Sequence, residues 1–236
     1  MAFVASSIEE NESMGSVIGE VLPLALGIAI SPIPIIAAIL MLLSPKARGT
    51  SVGFLLGWVL GIIVAVVVFE LLASIIPASD PDASKPVSGV IKILLGLGLL
   101  FLAWRQWTGR PKAGEAAALP KWMSAIDSMT AVRAFVLGII LSAANPKNLI
   151  MAVGAGVAIG TAGLDIGAVV VVTIIFVVIA AISVAAPVIA YLAASSRMAA
   201  PLESLRAWLV ANNATVMAVL LLVIGVVMIG KGIGSF

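Results

Sequence analysis

The chain contains no cysteine and no histidine. The first absence excludes disulfides, thiolate metal sites and cysteine nucleophiles, and the second excludes every imidazole-based triad. A metal site made of carboxylates alone has little to build on, so neither a metal nor any other cofactor is expected. Charge is scarce as well: Asp, Glu, Lys and Arg make up 10% of the 236 residues, where soluble domains carry about 25%. The net charge of +2 is too small to suggest a nucleic-acid partner. No nucleotide-binding motif occurs, so energy for any vectorial work would come from an ion gradient or a partner ATPase.

What the chain has in excess is apolar surface. Hydrophobic residues reach 62% and the mean hydropathy is +1.26, more than a water-soluble fold can hide. Apolar runs cover 17–43, 52–76, 87–104, 134–159, 166–194 and 215–229. Each is apolar all round, and only helices satisfy their own backbone in lipid. At about 20 residues per crossing, the pattern predicts an all-α polytopic membrane protein with six transmembrane helices.

Polar breaks fall at 44–49, at 77–86 with Asp80 and Asp82, at 105–129, at 160–165 and at 195–206. The N-terminal stretch carries Glu9, Glu10 and Glu12 where a signal peptide would be basic, so no cleavage is expected; Met14 is an alternative start. With the N-terminus outside, the inner segments hold Lys46, Arg48, Arg105, Arg110, Lys112, Lys121, Arg133, Arg197 and Arg206, against Lys85 and Lys231 outside. That bias sets the orientation by the positive-inside rule, with both termini outside. The domains expected are an acidic outer tail at 1–16, a three-helix repeat at 17–104, a cytoplasmic linker at 105–132 and a second three-helix repeat at 133–236. Within the linker, Trp122, Met123, Ile126 and Met129 follow Pro120 at helical spacing, as either an interfacial helix or a plain linker helix.

Two runs are interrupted at depth. The first contains Ser31-Pro32-Ile33-Pro34, whose prolines remove N–H donors and free backbone carbonyls. The fourth contains Asn145-Pro146-Lys147-Asn148, and a lysine at mid-bilayer costs about 2.5–3.5 kcal/mol unless a polar cavity receives it. Pro32 lies 12 residues after Glu20 and Pro146 lies 13 after Arg133, so the two breaks reach similar depth from opposite sides. Three spans followed by three inverted spans, with helices 1 and 4 broken, is the pattern of a 3+3 inverted-repeat transporter. Ser31, Pro32, Pro34, Asn145, Pro146, Lys147 and Asn148 are therefore the candidate substrate-binding residues. Prolines that merely kink a helix for packing are the competing reading.

Other polar positions are weaker candidates. Glu70, near the outer end of the second run, is either a carrier of a coupling proton or a headgroup-level carboxylate. Lys92 is expected to snorkel outward. Gly53, Gly57 and Gly61 recur at spacing four, as a seam inside the molecule or a dimer face. Thr173 and Ser183 need no partner beyond their own helix.

At the Pro32-Ile33-Pro34 and Asn145-Pro146-Lys147 elements the chain resembles the lysine-exporter (LysE/RhtB) superfamily, and more closely its GAP branch of mycobacterial glycopeptidolipid- and sulfolipid-addressing proteins. The likeness extends through SPIPIIAAILMLLSPKARGTSVGFLLGWVLG, LPKWMSAIDSMTAVRAFVLG and LSAANPKNL. It implies a six-helix inverted repeat in the bacterial cytoplasmic membrane, a homodimer, and export of an amphiphilic glycolipid. Ile33 stands where the amino-acid exporters of the superfamily usually carry glycine, making that site bulkier.

The function expected is a secondary exporter working by alternating access on an envelope glycolipid or related small molecule. In it, Lys147 would hold an anionic group of the cargo or give up its proton during the cycle. An accessory or scaffold subunit of a larger envelope-lipid export complex is one alternative, and an amino-acid or ion exporter of the LysE type is another. No enzymatic activity is expected, because no Ser–His or aspartyl pair accompanies Glu70.

Overall fold

In the computed structural model, description is confined to residues 2–75, 86–110 and 121–236, and to the backbone alone for residues 2–12, 121, 122, 124 and 196. Asp80, Asp82, Lys85, Lys112 and the side chain of Trp122 lie outside the described residues. Within them the chain is all helical: α1 (Ala2–Ala29), α2 (Pro32–Leu42), α3 (Ala47–Ala73), α4 (Pro86–Thr108), a 3-10 helix (Lys121–Ser128), α5 (Ala131–Ala143), α6 (Pro146–Gly160) and α7 (Ile166–Ile233). No strand occurs among the described residues.

This is a multi-pass membrane protein. Four segments are each long and apolar enough to cross a bilayer: Ala47–Ala73, Pro86–Thr108, Ile166–Ser195 and Arg197–Ile233. Two further segments qualify as bent pairs, Ser13–Ala29 with Pro32–Leu42 at 51° and Ala131–Ala143 with Pro146–Gly160 at 63°. Counting each bent pair as one crossing gives six spans. Their outer faces are apolar: Leu56, Leu60, Val64, Val68 and Leu71 run along α3, and Leu94, Leu97 and Phe101 along α4, all exposed. Such stripes match hydrocarbon and would be a liability in water.

The break expected at 195–206 is narrower than its polar stretch. α7 is two helices joined across a kink at Ala194 (φ −148°, ψ 54°), where the fifth apolar run ends, and the polar residues that follow begin the second helix, Arg197–Ile233. A helix that projects beyond lipid tolerates charge, and Glu203 and Arg206 satisfy each other one turn apart there. For the same reason α4 continues past Trp104 through Arg105 and Gln106 to Thr108. The turn between α6 and α7 needs Gly163 in the left-handed region (φ 70°), after which the Asp165 side chain caps α7 by accepting from Gly167 and Ala168 N–H.

Small residues set the helix contacts. Gly53 and Gly57 lie against the backbone of Ala131 and Phe135 on α5, and Gly138 lies reciprocally against Phe54 and Gly57. The spacing-four glycine run therefore packs inside the molecule. α4 and the second half of α7 cross through matched glycines: a Cβ on Gly89 would come 2.9 Å from the Gly232 carbonyl oxygen, and one on Gly96 2.8 Å from that of Gly225. The 3-10 helix rests on α2, with Met123 and Ile126 buried.

Candidate functional site

Each broken span restarts with proline at the beginning of its second helix, where the missing N–H is not needed. The cost falls on the preceding turn. Pro32 and Pro34 have no N–H to offer the carbonyls of Ile28 and Ile30, four residues earlier. Side chains substitute. Ser31 Oγ donates back to the Ile28 carbonyl at 2.7 Å rather than capping α2. The Ala29 carbonyl accepts from Ser183 Oγ on α7, and the Gly27 carbonyl accepts from Lys147 Nζ at 2.6 Å. Lys147 Nζ also donates to Ser31 Oγ.

The end of α1 is thus closed by residues of the second half of the chain. Ser183 bonds across to α1 instead of to its own helix, a pairing the sequence could not show. In the other break, Asn145 Oδ1 accepts from Lys147 N–H at 3.0 Å, capping α6. Asn148 Nδ2 donates to the Leu141 carbonyl at 3.1 Å, stitching α6 back to α5.

Lys147 is 5% exposed, and no carboxylate pairs with it among the described residues. Its compensation is the carbonyl end of α1, where the helix dipole favours a cation. An ammonium has three protons to donate, and two are engaged here.

Ser31, Pro32, Pro34, Asn145, Pro146 and Lys147 all line one cavity of about 360 Å³. Asn148 and Glu70 stand apart from it. Asn148 is buried behind the break with its Oδ1 unpartnered, and Glu70 accepts from Thr173 Oγ1 at 2.9 Å, joining α3 to α7. Ile33, Leu102, Arg105, Gln106, Asn213, Met217 and Leu221 complete the wall. Of these, Arg105, Gln106 and Asn213 bring polar chemistry from outside the apolar runs. The available signal was Asn212-Asn213 immediately before the last apolar run, and Gln106 one turn beyond Leu102.

No described residue in the lining is acidic, whereas Lys147 and Arg105 are cationic and the N-termini of α2 and α6 open onto it. The cavity suits an anionic group beside an apolar one. Comparison with known families gives one match, to the model described as Sap, sulfolipid-1-addressing protein, over residues 21–234. The chain belongs to this family. Both helix breaks and every residue lining the cavity fall inside the matched region. No curated protein and no solved structure matches the chain.

Proposed function

We propose that this protein is a secondary exporter that moves an anionic, amphiphilic envelope lipid or related small molecule out of the cytoplasm by alternating access. The observation that carries this reading is the cavity in which both helix breaks and the buried Lys147 ammonium meet. Envelope-lipid handling is supported by the family, whose description names a sulfolipid. The cationic lining favours an anionic headgroup, and the apolar wall of Ile33, Leu102, Met217 and Leu221 favours the root of an acyl chain.

In this reading the fold is a 3+3 inverted repeat of the LysE/RhtB type, GAP branch, in the bacterial cytoplasmic membrane, and no catalytic step is involved. Support comes from the two bent pairs and from the matched glycine crossing of α4 with α7. Arg105, Gln106 and Asn213 line the cavity, and Trp104, Trp107 and Trp208, nearby in sequence, are exposed, as at a membrane interface. In this reading the basic Arg105 end faces the cytoplasm, which would make the state inward-facing.

The test is reconstitution of the purified chain alone in liposomes. Movement of a fluorescent sulfated glycolipid across the bilayer under an imposed proton gradient is expected. Inactivity alone, with activity only in a stable complex with other envelope proteins, would make the chain an accessory subunit instead.

A further inference from the structure

Beyond the cavity, one helix face on each of three helices continues toward the opposite end of the bundle. On the second half of α7 the stripe Asn213, Met217, Leu221, Ile224, Met228, Lys231 keeps to spacings of three and four, which hold one face of a helix. α1 carries Gly27, Leu24 and Glu20 in the same way, leading back from Ser31 in the break, and α6 carries Lys147, Met151 and Gly154. Ser31 and the first members of the other two stripes line the cavity. The last members, joined by Lys92 of α4, line a second and far smaller void of about 10 Å³.

Two apolar layers separate the two spaces. In the first, Met151 and Ile224 fill the room left by Gly27, so closely that a Cβ there would meet the Ile224 methyl at 2.6 Å. In the second, a Cβ on Gly154 would touch Met228 and Leu24 at 3.0 and 3.1 Å. Glu20 and Gly27 are seven residues apart on α1, roughly 10 Å along the helix at about 1.5 Å per residue. Beyond these layers Glu20 pairs with Lys92, whose side chain is 12% exposed, so Lys92 does not simply snorkel. Among the described residues, Lys231 Nζ has only a long bond, 3.3 Å, to the Gly19 carbonyl. Two ammonium groups thus face one carboxylate at the closed end of the seam.

We propose that Lys92 and Lys231 form a second anion site at the exit end of the same path, with Glu20 occupying it as a tethered stand-in until the anionic group of the cargo arrives. The site rests on the export reading for its role but not for its test. The Glu20–Lys92 pair ties α1 to α4 and keeps the Leu24 layer shut. When the Met151–Ile224 layer parts, an incoming anion competes for Lys92 and Lys231 and releases Glu20. The charge count stays balanced at each step, because one anion replaces another.

The chain's lack of cysteine makes it a clean background for thiol labelling. In nanodiscs, a bulky water-soluble maleimide should react slowly with a Leu24→Cys chain and readily with a Met217→Cys chain. Adding Glu20→Gln should speed labelling at position 24 about tenfold, equivalent to about 1.4 kcal/mol on the closed–open balance, and leave position 217 unchanged. The swapped pair Glu20→Lys with Lys92→Glu should restore the slow rate. In the Glu20→Gln background, octyl sulfate should protect position 24 while octyl glucoside does not. Unchanged labelling with Glu20→Gln, a swap as fast as the single change, or equal protection by the two amphiphiles would each overturn the proposal. Labelling needs no transport, so a chain inactive in liposomes that still shows these shifts would reject the exporter and keep the site.

Discussion

Lys147 Nζ donates to the Gly27 carbonyl oxygen at 2.6 Å across 120 residues of sequence, tying the start of α6 to the end of α1. A cation without a counter-ion and a carbonyl without its helical N–H remedy each other's deficit. The bond also fixes the relative position of the two breaks, so that whatever displaces it couples the two halves of the chain.

Replacing Lys147 should therefore cost little stability. Lys147→Met gives up hydrogen bonds worth on average about 0.6 kcal/mol each in membrane proteins, and removes an ammonium whose burial costs about 2.5–3.5 kcal/mol. Unfolding in mixed detergent should show the variant as stable as the native chain or more so. A strongly destabilised Lys147→Met would mean that the ammonium is a structural clamp.

Ser183→Ala removes the donor that reaches from α7 to the Ala29 carbonyl. Because that carbonyl keeps the Ser31 N–H at 2.8 Å, the expected loss is modest, about 0.6 kcal/mol and no more than about 1.7, measured in the same unfolding experiment.

Glycine positions should divide sharply. A Cβ on Gly57 would overlap the Phe135 carbonyl of α5, while one on Gly230 meets nothing within 4 Å. Gly57→Val should destabilise by about 1–3 kcal/mol, the usual cost of overpacking, and Gly230→Ala should be neutral or stabilising by about 0.5–1 kcal/mol. Comparable effects at the two sites would contradict the packing described here.

Glu70 is held by Thr173 away from the cavity lining. Glu70→Gln can still accept that bond, so folding and transport should both persist, whereas Thr173→Val should lower stability slightly. If Glu70→Gln instead uncoupled transport from the proton gradient, the coupling proton would belong to Glu70.

The parts of this site that were legible in the sequence are those whose chemistry is local. Proline lacks a donor wherever it stands, so Pro32, Pro34 and Pro146 announced the breaks, and a lysine thirteen or more residues into an apolar run announced a polar space. Pairings between helices were not legible. Whether Ser183 turns to its own backbone or to Ala29, and whether Lys92 snorkels or meets Glu20, depends on helix rotation and crossing, which apolar-all-round segments leave unmarked. The polar stretch 195–206 marked the turn between the last two spans, but the helix break itself is confined to Ala194, because polarity marks where lipid ends and a helix can begin before it enters lipid. The glycine run fell between these cases: spacing four identified a close-packing face, but only the backbone of α5 against it named the partner.

The most direct test of export through the shared cavity is the rate at which reconstituted protein moves a fluorescent sulfated glycolipid, compared between the native chain and Lys147→Ala at equal amounts of folded, inserted protein. Native protein should transport, and the variant should be slower by at least about tenfold, a loss of about 1.4 kcal/mol or more. Equal rates would contradict a role for the Lys147 ammonium in carrying cargo.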